Sequence, residues 1–196
     1  MTPKRLSITL ASIAVAALVI VGLLQARGSS TPTAASHLTL AEMRSRLVDS
    51  PPALGALHAQ GSDVLEGGLP ALRARLHALA GLPIVVNKWA SWCGPCRAEF
   101  GVFQQASLSQ GRTVAFVGID SGDPSRANAV AFLRSFPVSY PSYYDRSGQA
   151  GLAITDSSFT PVTVFYNRSG SQYIHQGPYP SVAKLEQDIR RYALGG

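Results

Sequence analysis

Cys93 and Cys96 are the only cysteines of the 196-residue chain, and Gly94 and Pro95 alone separate them. A disulfide across that spacing closes a very small loop. Cross-links restrict the unfolded chain more as the loop they close lengthens, so this one adds little stability. Such a bridge is suited to being opened and closed. The apolar run Leu82-Pro83-Ile84-Val85-Val86-Asn87 predicts a buried strand. Ala98-Glu99-Phe100 and Val102-Phe103-Gln104-Gln105-Ala106 predict a helix after it. Cys93 then falls at a helix N-terminus, where free N–H groups and the helix dipole favour the thiolate that performs disulfide exchange. A structural disulfide and a zinc site are the competing readings. Zinc takes four ligands, no second cysteine pair exists, and His37, His58, His77 and His175 lack a His-x₃₋₅-His spacing. The residue types point to a redox dithiol, with no metal.

Other elements must hold this pair in place. Thr39-Leu40-Ala41-Glu42 has capping-box spacing and opens a short helix through Leu47, before Pro51-Pro52. Ala53 to Leu65 reads as an added strand or a loop. Pro70 and Gly81 bracket a helix over Ala71 to Ala80, with Leu72, Leu76 and Leu79 on one face. Thr113 to Ile119 is a second apolar strand, ended by Asp120-Ser121-Gly122-Asp123-Pro124. Ser125 to Phe136 is helical, and Pro141 to Tyr144 is a short strand closed by the turn Asp145-Arg146-Ser147-Gly148. Val162 to Tyr166 and Gln172 to His175 flank Asn167-Arg168-Ser169-Gly170, a hairpin signature. Val182 to Tyr192 ends the chain as a helix. Strands alternating with helices, then a hairpin, give an α/β fold with a sheet of mixed direction.

Trp92-Cys93-Gly94-Pro95-Cys96 resembles the thioredoxin active site. The wider context is similar to the membrane-anchored, extracytoplasmic TlpA/ResA-like thiol-disulfide oxidoreductases of that superfamily, from Leu69 to Leu194. Asn87 stands where cytoplasmic thioredoxins carry a buried aspartate. Glu99 matches an acidic active-site position of ResA-like proteins, and Asp120 to Thr160 leaves room for the strand and helix that this branch inserts. Gly101 departs from the usual kinking proline, and Lys88 from an apolar strand position. The resemblance implies a thioredoxin-like domain over 69–196 behind an N-terminal extension over 38–68.

The resemblance also implies roles. Pro161 by itself reads as a proline that opens a strand at a sheet edge; the resemblance implies instead a cis Thr160-Pro161 bond beside the dithiol, with the Thr160 backbone pairing with an extended substrate segment. Gly177 allows close approach of the substrate backbone or is a simple turn glycine. Cys93 attacks a substrate disulfide and Cys96 resolves the mixed disulfide. Trp92, Gly94, Pro95, Thr160 and Pro161 form the substrate-binding surface, with Asn87 and Trp89 supporting it. Glu99 tunes or shuttles protons of the dithiol, or else lies on a solvated helix face. No cofactor is implied. The expected activity is reduction of protein disulfides, in cytochrome c maturation (with apocytochrome c as client) or redox homeostasis. Electrons come from a membrane donor of the CcdA type. Alternatives are a disulfide-donating oxidase, a peroxiredoxin-like antioxidant, and a non-catalytic apocytochrome- or haem-binding module. A third cysteine for a peroxidase and a Cys-x-x-Cys-His for covalent haem are both absent from the sequence.

Compartment is read from the other end. Lys4 and Arg5 precede Leu6 to Leu24, which carries no charge. That run is long enough to cross a hydrocarbon core of about 30 Å and exceeds the roughly 7–15 residues of a signal-peptide core. Residues 1–26 are therefore expected to be an anchor or uncleaved signal, with the N-terminus cytoplasmic and the C-terminal domain outside. Cleavage near Ala26 or Ala35, giving a secreted protein, is the rival. Residues 27–37 are small and polar and read as a flexible linker. The net charge of +6 includes Lys4, Arg5 and Arg27, so the domain itself carries +3. That mild excess has no basic run, which argues against nucleic acid. A monomer is expected.

Overall fold

The computed structural model of the chain describes residues 38–196. The expected anchor at Leu6–Leu24 and the linker over 27–37 lie outside the described residues. No helix among the described residues is long and apolar enough to cross a membrane.

Thr39 caps α1 (Leu40–Arg46) through the predicted reciprocal box: its hydroxyl accepts from the Glu42 N–H while the Glu42 carboxylate accepts from the Thr39 N–H. The next segment differs from expectation. Pro52 occupies the first turn of α2 (Pro52–Ala59), and only Val64–Leu65 form a strand, β1. Proline at that position loses a hydrogen bond that no helix makes there, so it starts this helix as naturally as it stops the previous one. Then follow α3 (Gly68–Ala78), β2 (Ile84–Trp89), α4 (Gly94–Gln110), β3 (Ala115–Ser121), α5 (Arg126–Ser135), β4 (Ser142–Asp145), α6 (Gln149–Thr155), β5 (Val162–Tyr166), β6 (Gln172–Gln176) and α7 (Val182–Asp188). A π-helical turn, Ile189–Ala193, continues α7. α6 has no counterpart among the elements expected from the sequence; it is seven residues long and begins behind a left-handed Gly148.

The six strands lie in the order β1-β4-β3-β2-β5-β6. β1, β4, β3 and β2 run parallel, while β5 and β6 are antiparallel to their neighbours. This is the mixed sheet of the thioredoxin-like fold. Alternation along β2 divides the core. Val85 and Trp89 pack with Phe100 and Phe103 of α4, Phe132 of α5 and Leu185 of α7. Ile84 and Val86 face the other way, onto Leu54 and Leu57 of α2, Leu72 of α3 and Ile154 of α6. The centre of the sheet is thus covered on both faces, and all six residues of β2 are buried. The chain leaves β2 and enters α4 within four residues, so the dithiol is mounted at the end of a strand that is buried along its whole length.

Candidate active site

Cys93 is the N-cap of α4 and is joined to Cys96 by a disulfide. The Cys96 N–H donates to the Cys93 sulfur at 3.1 Å. In the reduced form that N–H and the helix dipole would stabilise a Cys93 thiolate. Cys93 is the outer of the pair, 4% exposed against 0% for Cys96. Gly94 and Pro95 between them are exposed.

A second loop meets the sulfur. The Thr160-Pro161 peptide bond is cis, and the Thr160 carbonyl oxygen lies 3.7 Å from the Cys93 sulfur. The Pro161 carbonyl accepts from the Gly177 N–H at 3.0 Å. Gly177 has φ +92°, a conformation that side chains rarely adopt. Three segments far apart in the chain therefore meet here. Trp92 beside Cys93 is 62% exposed and Phe159 beside Thr160 is 74% exposed. Two large aromatic side chains, next to Cys93 and Thr160 in the chain, are thus open to solvent.

The two tryptophans of the motif take different places. Trp89 is fully buried, packed on Phe100 and Phe132, and its indole N–H donates to the Ser142 hydroxyl at 3.1 Å. Trp92 stands outside, its indole N–H donating to the Gly122 carbonyl. Arg97 is on the surface, where its guanidinium donates to the Ser91 carbonyl and lies 5.1 Å from the Phe132 ring centroid. Gly101 does not interrupt α4.

Glu99 is fully buried rather than on a solvated helix face. It sits three residues after Cys96 on the inward side of α4, and its Oε2 accepts from the Tyr179 N–H at 3.0 Å. Its Oε1 has no hydrogen-bond partner among the described residues. Burial outweighs that hydrogen bond and pushes the carboxyl up to about 8. A group titrating there can hold or release a proton at neutral pH. Asn87 and its register partner Thr163 are buried on adjacent strands, and among the described residues their side-chain polar atoms have no hydrogen-bond partner. The amide of Asn87 can form hydrogen bonds but cannot take a proton.

Sequence reasoning missed several residues that frame the site. Asp123 is buried and accepts from the Ser91 N–H at 2.9 Å and from its hydroxyl at 2.7 Å, tying down the turn before Trp92. Asp120 is buried, and among the described residues neither of its carboxyl oxygens has a hydrogen-bond partner. Burial, followed by the adjacent Asp123, moves it up to about 9, so it keeps its proton at neutral pH. Tyr179 closes over Glu99 from a segment 80 residues away. The turn signal at Asp120–Pro124 was legible, but nothing in it distinguishes a carboxylate facing Ser91 from one facing water.

The model of the Redoxin family matches residues 71–188. The chain belongs to the Redoxin family. Among curated proteins it is 30% identical to the thiol-disulfide oxidoreductase ResA of Bacillus subtilis over 99 residues, which are 50% of this chain and 54% of that protein. It is 37% identical to the thiol:disulfide interchange protein DsbE of Escherichia coli over 73 residues, 37% of each. The chain thus spans about half or less of the length of these curated relatives. A solved thiol:disulfide interchange protein of the thioredoxin family from Chlorobium tepidum superposes with a TM-score of 0.54 at 25% identity, covering 61% of this chain and 84% of that one. The Chlorobium tepidum protein shares the fold, and the names of all three relatives describe disulfide exchange.

Proposed function

We propose that this protein is an extracytoplasmic thiol-disulfide oxidoreductase that reduces protein disulfides through Cys93 and Cys96. The observation that carries the reading is the meeting of the Cys93–Cys96 disulfide, at a helix N-terminus, with the carbonyl that precedes a cis proline, 3.7 Å from the outer sulfur. Kinship with proteins named ResA and DsbE supports it. In the reduced form the Cys93 thiolate attacks one sulfur of a client disulfide, and the departing client sulfur takes up a proton. The Cys96 thiolate then attacks Cys93, and the second client sulfur leaves as a thiolate that is protonated in turn. Two electrons pass to the client and the Cys93–Cys96 disulfide is left. Thr160 offers its carbonyl to the client main chain, as in strand addition. In its ionised form Glu99, three residues after Cys96 on α4, takes the proton that the resolving thiol loses.

The compartment outside the cytoplasm is oxidising, so a reductase there needs a dedicated electron source. A membrane donor of the CcdA type is the proposed source, apocytochrome c a proposed client, and Leu6–Leu24 the proposed anchor. The reduction potential of the Cys93–Cys96 pair tests the direction. A value near the roughly −270 mV of thioredoxin supports reduction, whereas one near the roughly −120 mV of DsbA makes the protein an oxidase. Retention of the full-length chain in carbonate-washed membranes tests the anchor, and a soluble product starting near residue 27 or 36 replaces it with a cleaved signal.

A further inference from the structure

Lys88 occupies the central strand β2, between Ile119 of β3 and Val162 of β5, and is only 2% exposed. A lysine there breaks the apolar pattern of the strand and makes no ion pair among the described residues. Removing an ammonium from water costs several kcal/mol even in a relaxed protein. The chain makes room for it. A Cβ on Gly151 would stand 2.5 Å from Ser121 Oγ and 2.7 Å from Lys88 Cε, so glycine at that turn of α6 leaves room for both side chains. The Lys88 ammonium emerges at the end of α6 and donates to the Ser157 carbonyl. The Thr155 hydroxyl donates to the same oxygen at 3.1 Å. Asp145, whose Oδ2 accepts from the Gly151 N–H at 2.7 Å and from Ser121 at 3.2 Å, supplies the counter-charge nearby.

What Lys88 holds is the start of the loop that faces the dithiol. After α6 the chain turns at Asp156, φ +48°. Ser157 then accepts from the Phe159 N–H through its hydroxyl at 3.2 Å. Thr160 follows, with its carbonyl against the Cys93 sulfur. We propose that Lys88 is a positioning residue: its ammonium fixes the Ser157 carbonyl from behind the sheet and so sets the Ser157–Pro161 segment, including Phe159 and the Thr160 carbonyl, against which a polypeptide client docks. This rests on the reading of Cys93 as the group that exchanges with polypeptide disulfides. A small thiol does not need that wall; an extended chain does.

The test compares Lys88→Met with wild type, because methionine keeps the length of the stem and removes the donor. The apolar side chain also avoids the cost of holding an ammonium out of water. With a synthetic peptide closed by one disulfide, kcat/KM of the reduced protein should fall about tenfold, through KM, since small misplacements of a docking group are amplified in rate. Reduction of the protein's own disulfide by dithiothreitol should stay within about twofold of wild type. Gly151→Ala, which crowds Lys88 together with Ser121 by volume and leaves the charge, should reproduce the peptide defect. Equal losses with peptide and dithiothreitol, or no loss in either variant, overturn the proposal. If wild type itself fails to reduce the peptide, the proposed function falls. Amide hydrogen exchange at Phe159 and Gly177 then decides the placement: faster exchange in Lys88→Met supports the role of Lys88, and unchanged exchange refutes it.

Discussion

Glu99 offers a quantitative test that does not depend on identifying a client. Its carboxyl is fully buried and moves from an ordinary value of 4.5 up to about 8. The native protein therefore keeps a proton that the unfolded chain releases. Each pH unit between those values lowers stability by about 1.4 kcal/mol, because the unfolded state binds fewer protons there. The contribution is intact below pH 4.5 and is lost as pH rises through about 8. Integrated, the loss is about 0.8 kcal/mol at pH 5 and about 4.4 kcal/mol at pH 8, a difference of about 3.5 kcal/mol. Glu99→Gln has no proton to release and still offers an oxygen to the Tyr179 N–H. Urea unfolding of the disulfide form at pH 5, 6, 7 and 8 should show the variant gaining on wild type by about 3.5 kcal/mol over that range. Asp120, which is also raised, contributes to both proteins and cancels in the subtraction. Parallel pH profiles, separated by less than about 1 kcal/mol of drift, would mean that Glu99 is charged and hydrated in the native state. The proton argument for its role would then fail. If it holds, the same substitution should flatten the pH dependence of disulfide reduction between pH 7 and about 9.

The remaining expectations concern the sulfurs and their support. Reduced protein at neutral pH should be alkylated at Cys93 well before Cys96, read by mass spectrometry, and Cys96→Ser but not Cys93→Ser should accumulate mixed disulfides; equal labelling would remove the helix-end argument. Gly118→Ala should destabilise the fold by about 1–3 kcal/mol in denaturant unfolding. The new Cβ would overlap the Ser142 side chain and stand 3.1 Å from Trp89 Nε1, at the hydrogen bond that seats Trp89. An unchanged midpoint would show that the packing there yields.

Two errors in reading the sequence have the same origin. Ala53–Leu65 was expected to be a strand or loop, yet Pro52–Ala59 is a helix whose Leu54 and Leu57 pack onto the sheet. Gln149–Thr155 received no element, yet it covers β3 and β5 and leaves the passage for Lys88. Both helices are about two turns long, too short for apolar periodicity to stand out from chance. Their stability comes from the sheet they cover, which exists only once distant strands have paired.

The sequence by itself determined the chemistry and the local frame. The spacing of Cys93 and Cys96, the apolar run before them and the helical pattern after them are all short-range features, and backbone geometry turns them directly into a strand, a turn and a dithiol at a helix end. The tertiary structure decided environments. Trp89 and Trp92 are three residues apart and alike in sequence, yet one is core and the other an open face beside the sulfur. Glu99 looks like a helix-surface carboxylate until Tyr179, 80 positions away, closes over it and burial retains its proton. Lys88 looks like a misplaced charge until α6 brings the Ser157 carbonyl to it. Solvation and hydrogen-bond partners are fixed by contacts between segments remote in the chain, and no local pattern of residues records which segments those are.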